Sequence, residues 1–495
     1  MRRLHADERG QSLVIVLSLI TILFLLGSAL AAHTSVALRT TVANEEQAGD
    51  LRAADAGAEL GMWWQRNGNP GNPPDITVNG LTVDTTVGIS GAVPCPTPSP
   101  LVVTGFEHGV VSAAGGAPFS AVAGAALSAD TSVTRTGAYS LLIADPGAGA
   151  NNASLPVASG VAVVRLHLRF ASLPAANVNA VLIGDAAAGN DLRLGYQASS
   201  QRLTLRLGNG ALTLASSSVS AGTWYRIDLR FVANANPRTA SWQIDGVAQT
   251  GVSANGGAST VNTVRLGSTV AADAFTANYD DVLISGASGD YPLGSGTVVG
   301  LRPAAMGTSA GASSFRNNDG SAISGTTYQR LDDSPMSSIA DYVRQQTIGT
   351  GDYVEMTFDA TTANCVVGVS ALLAYHAAGT PADDGKTSIF DGSTERIILD
   401  GDMSQTTIRY TDIVVTPASA PWTVAAVNGL EARIGYSSDV TPNPYWDSLL
   451  LEVATAIYVP GTVTVTSTAG DSTVTATYTD VGSGSPTLLT WTTTR

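Results

Sequence analysis

The sequence is poor in cysteine, lysine and histidine, and each shortage excludes a class of function. Two cysteines cannot form the multi-disulfide framework of a small secreted domain. The five histidines form no His-Glu-x-x-His motif and no paired metal-ligand spacing, so the sequence carries no metalloenzyme signature. Lys386 is the only lysine, and 25 basic residues stand against 40 acidic ones, for a formal charge of −15. This balance argues against nucleic-acid binding, which requires basic surface to neutralise phosphates.

The two cysteines lie far apart in different sequence contexts. Cys95 is in a proline-rich linker, and Cys365 opens an apolar stretch with the pattern of a strand. We therefore expect one exposed and one buried free thiol. A long-range disulfide is the alternative if the chain folds in an oxidising compartment.

The N-terminal segment lacks both charge and proline. No charged residue occurs between Arg9 and Arg39, and the first proline is Pro70. Residues 11–32 are apolar over a length that spans a bilayer as a helix. Good helix formers continue to Arg66, where an Asn-, Gly- and Pro-rich break begins. The sequence predicts a helix over 11–66, with its first part, 11–32, in the membrane.

Basic residues set the orientation of this helix. Arg2, Arg3 and Arg9 precede the apolar segment and are expected to stay in the cytoplasm. The chain beyond residue 32 is then extracellular, and the protein is a single-pass membrane protein.

Two segments of the N-terminal part resemble a known family. They are Glu8-Arg9-Gly10-Gln11-Ser12-Leu13-Val14 and Ala53-Ala54-Asp55-Ala56-Gly57-Ala58-Glu59. Residues 1–66 resemble the N-terminus of type IV pilin-like proteins, in particular PilX-type minor pilins. The resemblance implies a leader over 1–10, cleavage between Gly10 and Gln11, and other pilin subunits as partners of the helix. Ile15 departs from the glutamate of major pilins, which favours a minor or tip subunit.

Two other interpretations of the N-terminus remain open. The first is a cleaved signal peptide, with Leu13–Leu26 as the apolar core and Ala29-Leu30-Ala31 as the small-residue cleavage site. The second is an uncleaved membrane anchor without a pilin role.

The remainder of the chain predicts a mainly β protein. Two alternating runs flank Asn79-Gly80, which is a strong hairpin signal, and a similar pair flanks Gly470-Asp471. A lone hairpin is only marginally stable and requires a packing partner. We expect residues 75–93 and 459–495 to form one split, pilin-type antiparallel sheet against the long helix.

Two β modules are expected between these pieces, over 101–296 and 304–458. Many short strands, Gly-rich turns and few helical stretches favour antiparallel β-sandwiches of the jelly-roll type. The first module resembles laminin-G and concanavalin A-like domains on the evidence of three stretches. These are Gly222-Thr223-Trp224-Tyr225-Arg226-Ile227, Ala240-Ser241-Trp242-Gln243-Ile244-Asp245-Gly246 and Asn278-Tyr279-Asp280-Asp281-Val282-Leu283-Ile284.

Three carboxylates suggest a structural calcium site in the first module. Glu107 follows the first strand, and Asp280 and Asp281 lie in the last strand, which is expected to be its neighbour. Calcium binds six to eight oxygens, of which carboxylates supply part. The alternative is that these acids lie at a solvated edge of the sheet.

Four tryptophans are candidate carbohydrate-binding residues, namely Trp224, Trp242, Trp422 and Trp446. Each has an inward-facing core position as its alternative. A formal Gly-x-Ser-x-Gly match at residues 307–311 lies in a small-residue linker, without the strand-to-helix turn that a nucleophilic serine requires.

The sequence thus predicts a membrane-inserted minor pilin or pseudopilin that displays β-sandwiches for adhesion or glycan binding, and that is not an enzyme. One alternative is an exported carbohydrate-active enzyme with a jelly-roll domain. Another is a simple membrane-anchored binding protein.

Overall fold

A computed structural model of the chain describes most of its length. The described residues are 7–66, 72–90, 96–111, 118–184, 191–208, 210, 212–256, 258–346, 351–361, 363, 365–377, 384–403, 407–436, 444–456, 461–480 and 487–494. The chain divides into two compact units. Unit 1 comprises Met1–Gly91, Gly461–Asp480 and Pro486–Arg495, and unit 2 comprises Ala92–Pro460 and Val481–Ser485.

The elements follow in chain order. The N-terminal part contains α1 (Asp7–Arg66), β1 (Ile76–Val78) and β2 (Leu81–Ser90). The first sandwich contains β3 (Pro100–Thr104), β4 (Ala121–Ala123), β5 (Leu127–Asp130), β6 (Ser140–Pro146), β7 (Asn151–Ser159), β8 (Val161–Phe170), β9 (Val178–Gly184), β10 (Leu192–Gln197), β11 (Arg202–Leu207), β12 (Leu212–Leu214), β13 (Tyr225–Val232), β14 (Arg238–Ile244), β15 (Val247–Ala248), β16 (Val252–Ala254), β17 (Val261–Ser268) and β18 (Ala274–Ser285). The second sandwich contains β19 (Val298–Leu301), β20 (Pro303–Met306), β21 (Phe315–Asn317), β22 (Val343–Gln345), β23 (Tyr353–Phe358), β24 (Val366–Ala377), β25 (Asp384–Asp391), β26 (Thr394–Asp402), β27 (Arg409–Val415), α2 (Val424–Asn428), β28 (Leu430–Tyr436) and β29 (Pro444–Thr455). The C-terminal part contains β30 (Gly461–Ala469), β31 (Ser472–Asp480) and β32 (Thr487–Thr494).

In unit 1, strands from the two ends of the chain form one antiparallel sheet. Its order is β1-β2-β30-β31-β32, so the split sheet that the sequence predicts is present. The β1–β2 turn uses Asn79 and Gly80 at positive φ, as a tight hairpin requires. The second half of α1 packs on β2, β30 and β31.

Small residues allow this close helix–sheet packing. Ala53, Ala54 and Ala58 are fully buried. A Cβ added to Gly57 would lie 2.1 Å from Oγ of Ser467, so the absence of a side chain on that glycine is what lets the sheet approach.

The first half of α1 is apolar and exposed. Its large side chains are exposed, Phe24 for example to 75%. By length and composition this helix is able to cross a membrane, and its most apolar window has a mean hydropathy of 2.6. A signal sequence would satisfy the same criteria.

The first sandwich pairs a seven-stranded sheet with a nine-stranded sheet. Their strand orders are β12-β11-β10-β9-β17-β7-β4 and β15-β14-β13-β8-β18-β6-β5, with β16 beside β14 and β3 beside β18. The inner faces share one hydrophobic core. The first and last strands are neighbours as expected, because Thr104 of β3 lies opposite Val282 of β18.

The second sandwich pairs a six-stranded sheet with a five-stranded sheet. Their orders are β21-β22-β29-β24-β27, with β19 beside β29, and β20-β23-β28-β25-β26. The two inner faces share a second core. The mainly β architecture, with one long N-terminal helix and antiparallel sheets, is therefore confirmed.

The two sandwiches contact each other within unit 2. An apolar cluster combines Val103 and Val163 of the first sandwich with Val367 and Ala454 of the second. The buried Arg165 donates from Nη1 to the carbonyl of Thr455 at 3.0 Å.

The expectation of two free thiols was wrong. Cys365 is disulfide-bonded, and the sequence contains one other cysteine, Cys95, which lies outside the described residues. A disulfide at Cys365 agrees with the alternative that an oxidising compartment allows.

Candidate functional site

The three predicted calcium ligands meet at one loop of the first sandwich. Glu107, Asp280 and Asp281 are almost completely buried and surround residues 135–139. The Glu107 carboxylate accepts from the Ala138 backbone N–H at 2.9 Å. They do not lie at a solvated edge, so the alternative interpretation was wrong.

All six oxygens of these carboxylates already accept hydrogen bonds. Asp280 accepts from the backbone N–H groups of Arg135 and Asp281 at 2.8 and 2.7 Å. Asp281 accepts from the Thr136 hydroxyl and from the Arg135 guanidinium, both at 2.6 Å. Calcium would have to displace these donors and approach a guanidinium. The described residues contain no group of three or more His, Cys, Asp or Glu side chains able to hold a metal, and the geometry of this cluster does not fit calcium.

Burial dominates the protonation of this cluster. Desolvation raises the pKa of Glu107 to about 8, against the lowering effect of the Ala138 N–H. Desolvation and the neighbouring Asp281 charge raise the pKa of Asp280 to about 9. Through its hydrogen bonds the cluster holds the 135–139 loop against the last strand, β18.

The structure places three of the four tryptophans in the cores, so their prediction as ligand contacts was wrong. Trp242 is 1% exposed and Trp446 fully buried. Their indole N–H groups donate internally, to the Thr250 carbonyl and the Thr387 hydroxyl, both at 2.9 Å. Trp422 is also buried. Large aromatic rings gain most by facing inward in a sandwich.

The remaining predicted sites are not tested. Trp224 is half-buried just before β13, and its role in binding stays a prediction. Gly10 and Gln11 lie within α1, and cleavage between them also stays a prediction.

A cleft that the sequence did not reveal lies on the five-stranded sheet of the second sandwich. It has a volume of about 200 Å³. Its lining includes Asp352, Tyr353, Lys386, Phe390, Glu395 and Arg433. Val354, Met356 and Phe358 of β23 face the core, so the alternate residues of that strand face outward toward the cleft.

The register of β23, β28 and β25 builds the cleft from distant segments. Arg433 of β28 lies opposite Glu355 on one side and Ser388 on the other. In the next row, Gly435 separates Tyr353 from Lys386. A Cβ on Gly435 would lie 2.4 Å from the Asp352 carbonyl, so only glycine fits at this position. No side chain therefore fills the space between Tyr353 and Lys386.

Arg433 forms the centre of the cleft. Its guanidinium lies over the rings of Tyr353 and Phe390, with Cζ 4.5 and 4.1 Å from the two ring centroids. Its Nε donates to Oε2 of Glu355 at 2.6 Å. The other oxygen of Glu355 accepts from the Thr308 N–H at 2.8 Å. Stacking and pairing together hold the planar guanidinium in one orientation.

A second ion pair lies along the same face. Nζ of Lys386 lies 2.8 Å from Oε1 of Glu395, which also accepts from the Ser388 hydroxyl at 2.7 Å. Burial opposes ionisation of Glu395, but these two hydrogen bonds outweigh it and lower the pKa. The cleft therefore presents carboxylate acceptors, cationic donors and aromatic rings within one small space.

Comparison with known proteins gives limited information. No family model and no curated protein matches the chain. Solved structures that are similar include the cellulose-induced protein Cip1, at 18% identity and a TM-score of 0.30, over 38% of this chain and 97% of that one. They also include a sialidase of Trypanosoma rangeli, at 14% identity and a TM-score of 0.25, over 34% of this chain and 32% of the sialidase.

A third similar structure is the alginate lyase AlgAT5 of polysaccharide lyase family 7, at 10% identity and a TM-score of 0.26, over 34% of this chain and 84% of that one. The match to the sialidase spans about a third of that protein's length. Similarities this low assign no substrate.

The expectation that the protein is not an enzyme was wrong, because the similar structures include sialidases and an alginate lyase.

Proposed function

We propose that this chain is an exported, membrane-anchored surface protein that binds a glycan in the cleft of its second sandwich. The observation that carries the proposal is the position of Arg433, stacked between Tyr353 and Phe390 and paired with Glu355. Oriented donors and acceptors beside aromatic rings match the surface of a sugar, which alternates hydroxyl groups and C–H faces.

The cleft is also suitably pre-formed. Glu355 is 4% exposed and both of its oxygens are bonded, so the guanidinium needs no rearrangement before binding. A site whose groups are already fixed loses less entropy when a ligand binds.

Binding of a glycan array by the full chain in detergent tests this proposal. We expect wild type to bind, and Phe390→Ala to lose binding because one wall of the cleft is removed. The control is Ile339→Ala, which removes an exposed side chain of the same sandwich outside the cleft lining. Equal binding by both variants would contradict the proposal.

The second candidate function is glycan cleavage. Two carboxylates belong to the cleft, Glu395 in its lining and Glu355 behind Arg433, and glycosidases use two carboxylates. The low pKa of Glu395 suits a base or nucleophile rather than a general acid. Release of reducing ends from a glycan panel by wild type, but not by Glu395→Gln, would establish this function. Binding without turnover would exclude it.

A pilin-like assembly role for the N-terminus is a further part of the proposal. It is supported by a helix whose apolar first half is exposed and whose second half packs on the split sheet. Mass spectrometry of the mature N-terminus tests it. A chain that begins at Gln11 supports the role, and a chain that begins at Ala32 identifies a signal peptide instead. Shearing of cells followed by immunoblotting separates a filament subunit, which is released, from a plain anchored protein.

A further inference from the structure

Each cation that lines the cleft already has a carboxylate partner. Arg433 pairs with Glu355 at 2.6 Å, and Lys386 pairs with Glu395 at 2.8 Å. Glu355 is buried and has no solvent to replace a lost partner. A negatively charged ligand group at either cation would therefore also lie near that cation's carboxylate, whose charge repels it.

The charges of the cleft do not attract an anion. Glu395 and Glu355 contribute two negative charges, and Lys386 and Arg433 contribute two positive ones. The sum is zero, because the Asp352 carboxylate accepts from the Ser314 hydroxyl instead of facing the cleft. The described residues of the cleft therefore have no net positive charge that would steer a polyanion toward it.

The cleft has few cations within reach of a ligand. Lys386 and Arg433 are the only cationic side chains among the described residues that line it. On the neighbouring strand β26, Arg396 donates from Nε to the carbonyl and the hydroxyl of Thr416, at 3.1 and 2.8 Å.

We infer that the ligand of the cleft is an uncharged glycan, recognised through the hydroxyl groups of one sugar ring. This inference rests on the proposed function. Hydroxyl groups donate to Glu395 and accept from Arg433 or Lys386 without separating either ion pair. A sialylated or uronic acid-containing chain would meet cations whose charge Glu355 and Glu395 already neutralise.

The size of the cleft agrees with recognition of a single ring. Its volume of about 200 Å³ is below the roughly 300–1,000 Å³ of sites that enclose a drug-sized molecule. The ring is then a chain end or one unit of a chain that continues across the sheet.

Calorimetric titration of the full chain in detergent tests this inference. The probes are uncharged gluco-, xylo- and manno-oligosaccharides on one side, and oligouronates and sialylated oligosaccharides on the other. We expect at least tenfold tighter binding of an uncharged probe. Glu395→Gln frees Lys386 while it keeps an acceptor for Ser388, so this variant should gain affinity for oligouronates, more strongly at low salt.

The matched control is Asp319→Asn, which removes one negative charge from another ion pair of the same sandwich, with Arg330. It should leave the preference unchanged. Tighter binding of an anionic probe by wild type would overturn the inference and leave the proposed function intact. Binding of no probe by wild type would overturn both.

Discussion

The Nε atom of Arg433 donates to Oε2 of Glu355 at 2.6 Å, between residues that lie directly opposite on neighbouring strands. This register also places the guanidinium over Tyr353 and Phe390. A shift of one residue would turn every one of these side chains to the other face of the sheet. The chemistry of the cleft is thus fixed by strand pairing.

Arg433→Lys should weaken glycan binding while the fold is retained. Lysine keeps the charge but loses the planar stacking and the oriented donors of the guanidinium. Loss of one charge-assisted hydrogen bond is worth about 1.5–3 kcal/mol, so the Kd should rise about tenfold or more. Titration with the bound glycan measures this. The control is Arg316→Lys, at an arginine that bonds only backbone carbonyls among the described contacts, and it should leave the Kd unchanged. An unchanged Kd for Arg433→Lys would contradict the assignment of Arg433 to the binding site.

The same substitution at two glycines of α1 should have opposite effects. Gly49 has open space around it, so Gly49→Ala should stabilise unit 1 by up to about 1 kcal/mol through helix propensity. At Gly57 a Cβ would lie 2.1–2.7 Å from Ser467, Val83 and Thr85. Gly57→Ala should therefore destabilise unit 1 by about 1–3 kcal/mol. Limited proteolysis of the full chain in detergent reports the difference, and equal protection of both variants would argue against helix–sheet contact.

Gly137→Ala should destabilise the first sandwich. Gly137 has a φ of +65°, and a Cβ there would lie 1.9 Å from Oε1 of Glu107. Backbone strain alone costs about 1–2 kcal/mol, and the displaced carboxylate adds to it. The control Gly289→Ala enters open space at an ordinary φ. Thermal unfolding should show a lower Tm for Gly137→Ala only; similar Tm values would mean that the carboxylate cluster does not hold the 135–139 loop.

Unfolding should become easier as pH rises from about 5 to about 8. The pKa of Glu107 is raised from 4.5 to about 8 by burial. The resulting stability is fully present below pH 4.5, where both states are protonated, and is lost as pH rises through 8. Its size is on the order of a few kcal/mol.

Glu107→Gln removes this titration and should make the fall of Tm with pH smaller, while the part that comes from Asp280 remains. The exposed control Glu45→Gln should leave the slope unchanged. If Tm changed over that range by the same amount in wild type and in Glu107→Gln, the Glu107 carboxylate would not be the cause.

The local signals in the sequence predicted the local structure well. The Asn79-Gly80 hairpin is present, and so is the pair of strands on either side of Gly470-Asp471. These elements depend on alternation and turn chemistry, which a sequence displays directly. The long helix likewise ends at Arg66, where the Asn-, Gly- and Pro-rich break begins.

The cleft was not predictable in the same way, because it depends on pairing between distant segments. Glu355 and Arg433 are 78 residues apart in sequence, and no local pattern reveals that they face each other. The tryptophans misled for a related reason. Strand alternation alone does not tell which face is inward, and Trp446 and Trp242 proved to be core residues.

Titration of the full chain in detergent with uncharged oligosaccharides is the most direct measurement of the central claim. The account predicts saturable binding by wild type and by Ile339→Ala, and loss of binding in Phe390→Ala. Absence of binding by folded wild-type protein, or binding that Phe390→Ala leaves intact, would contradict it.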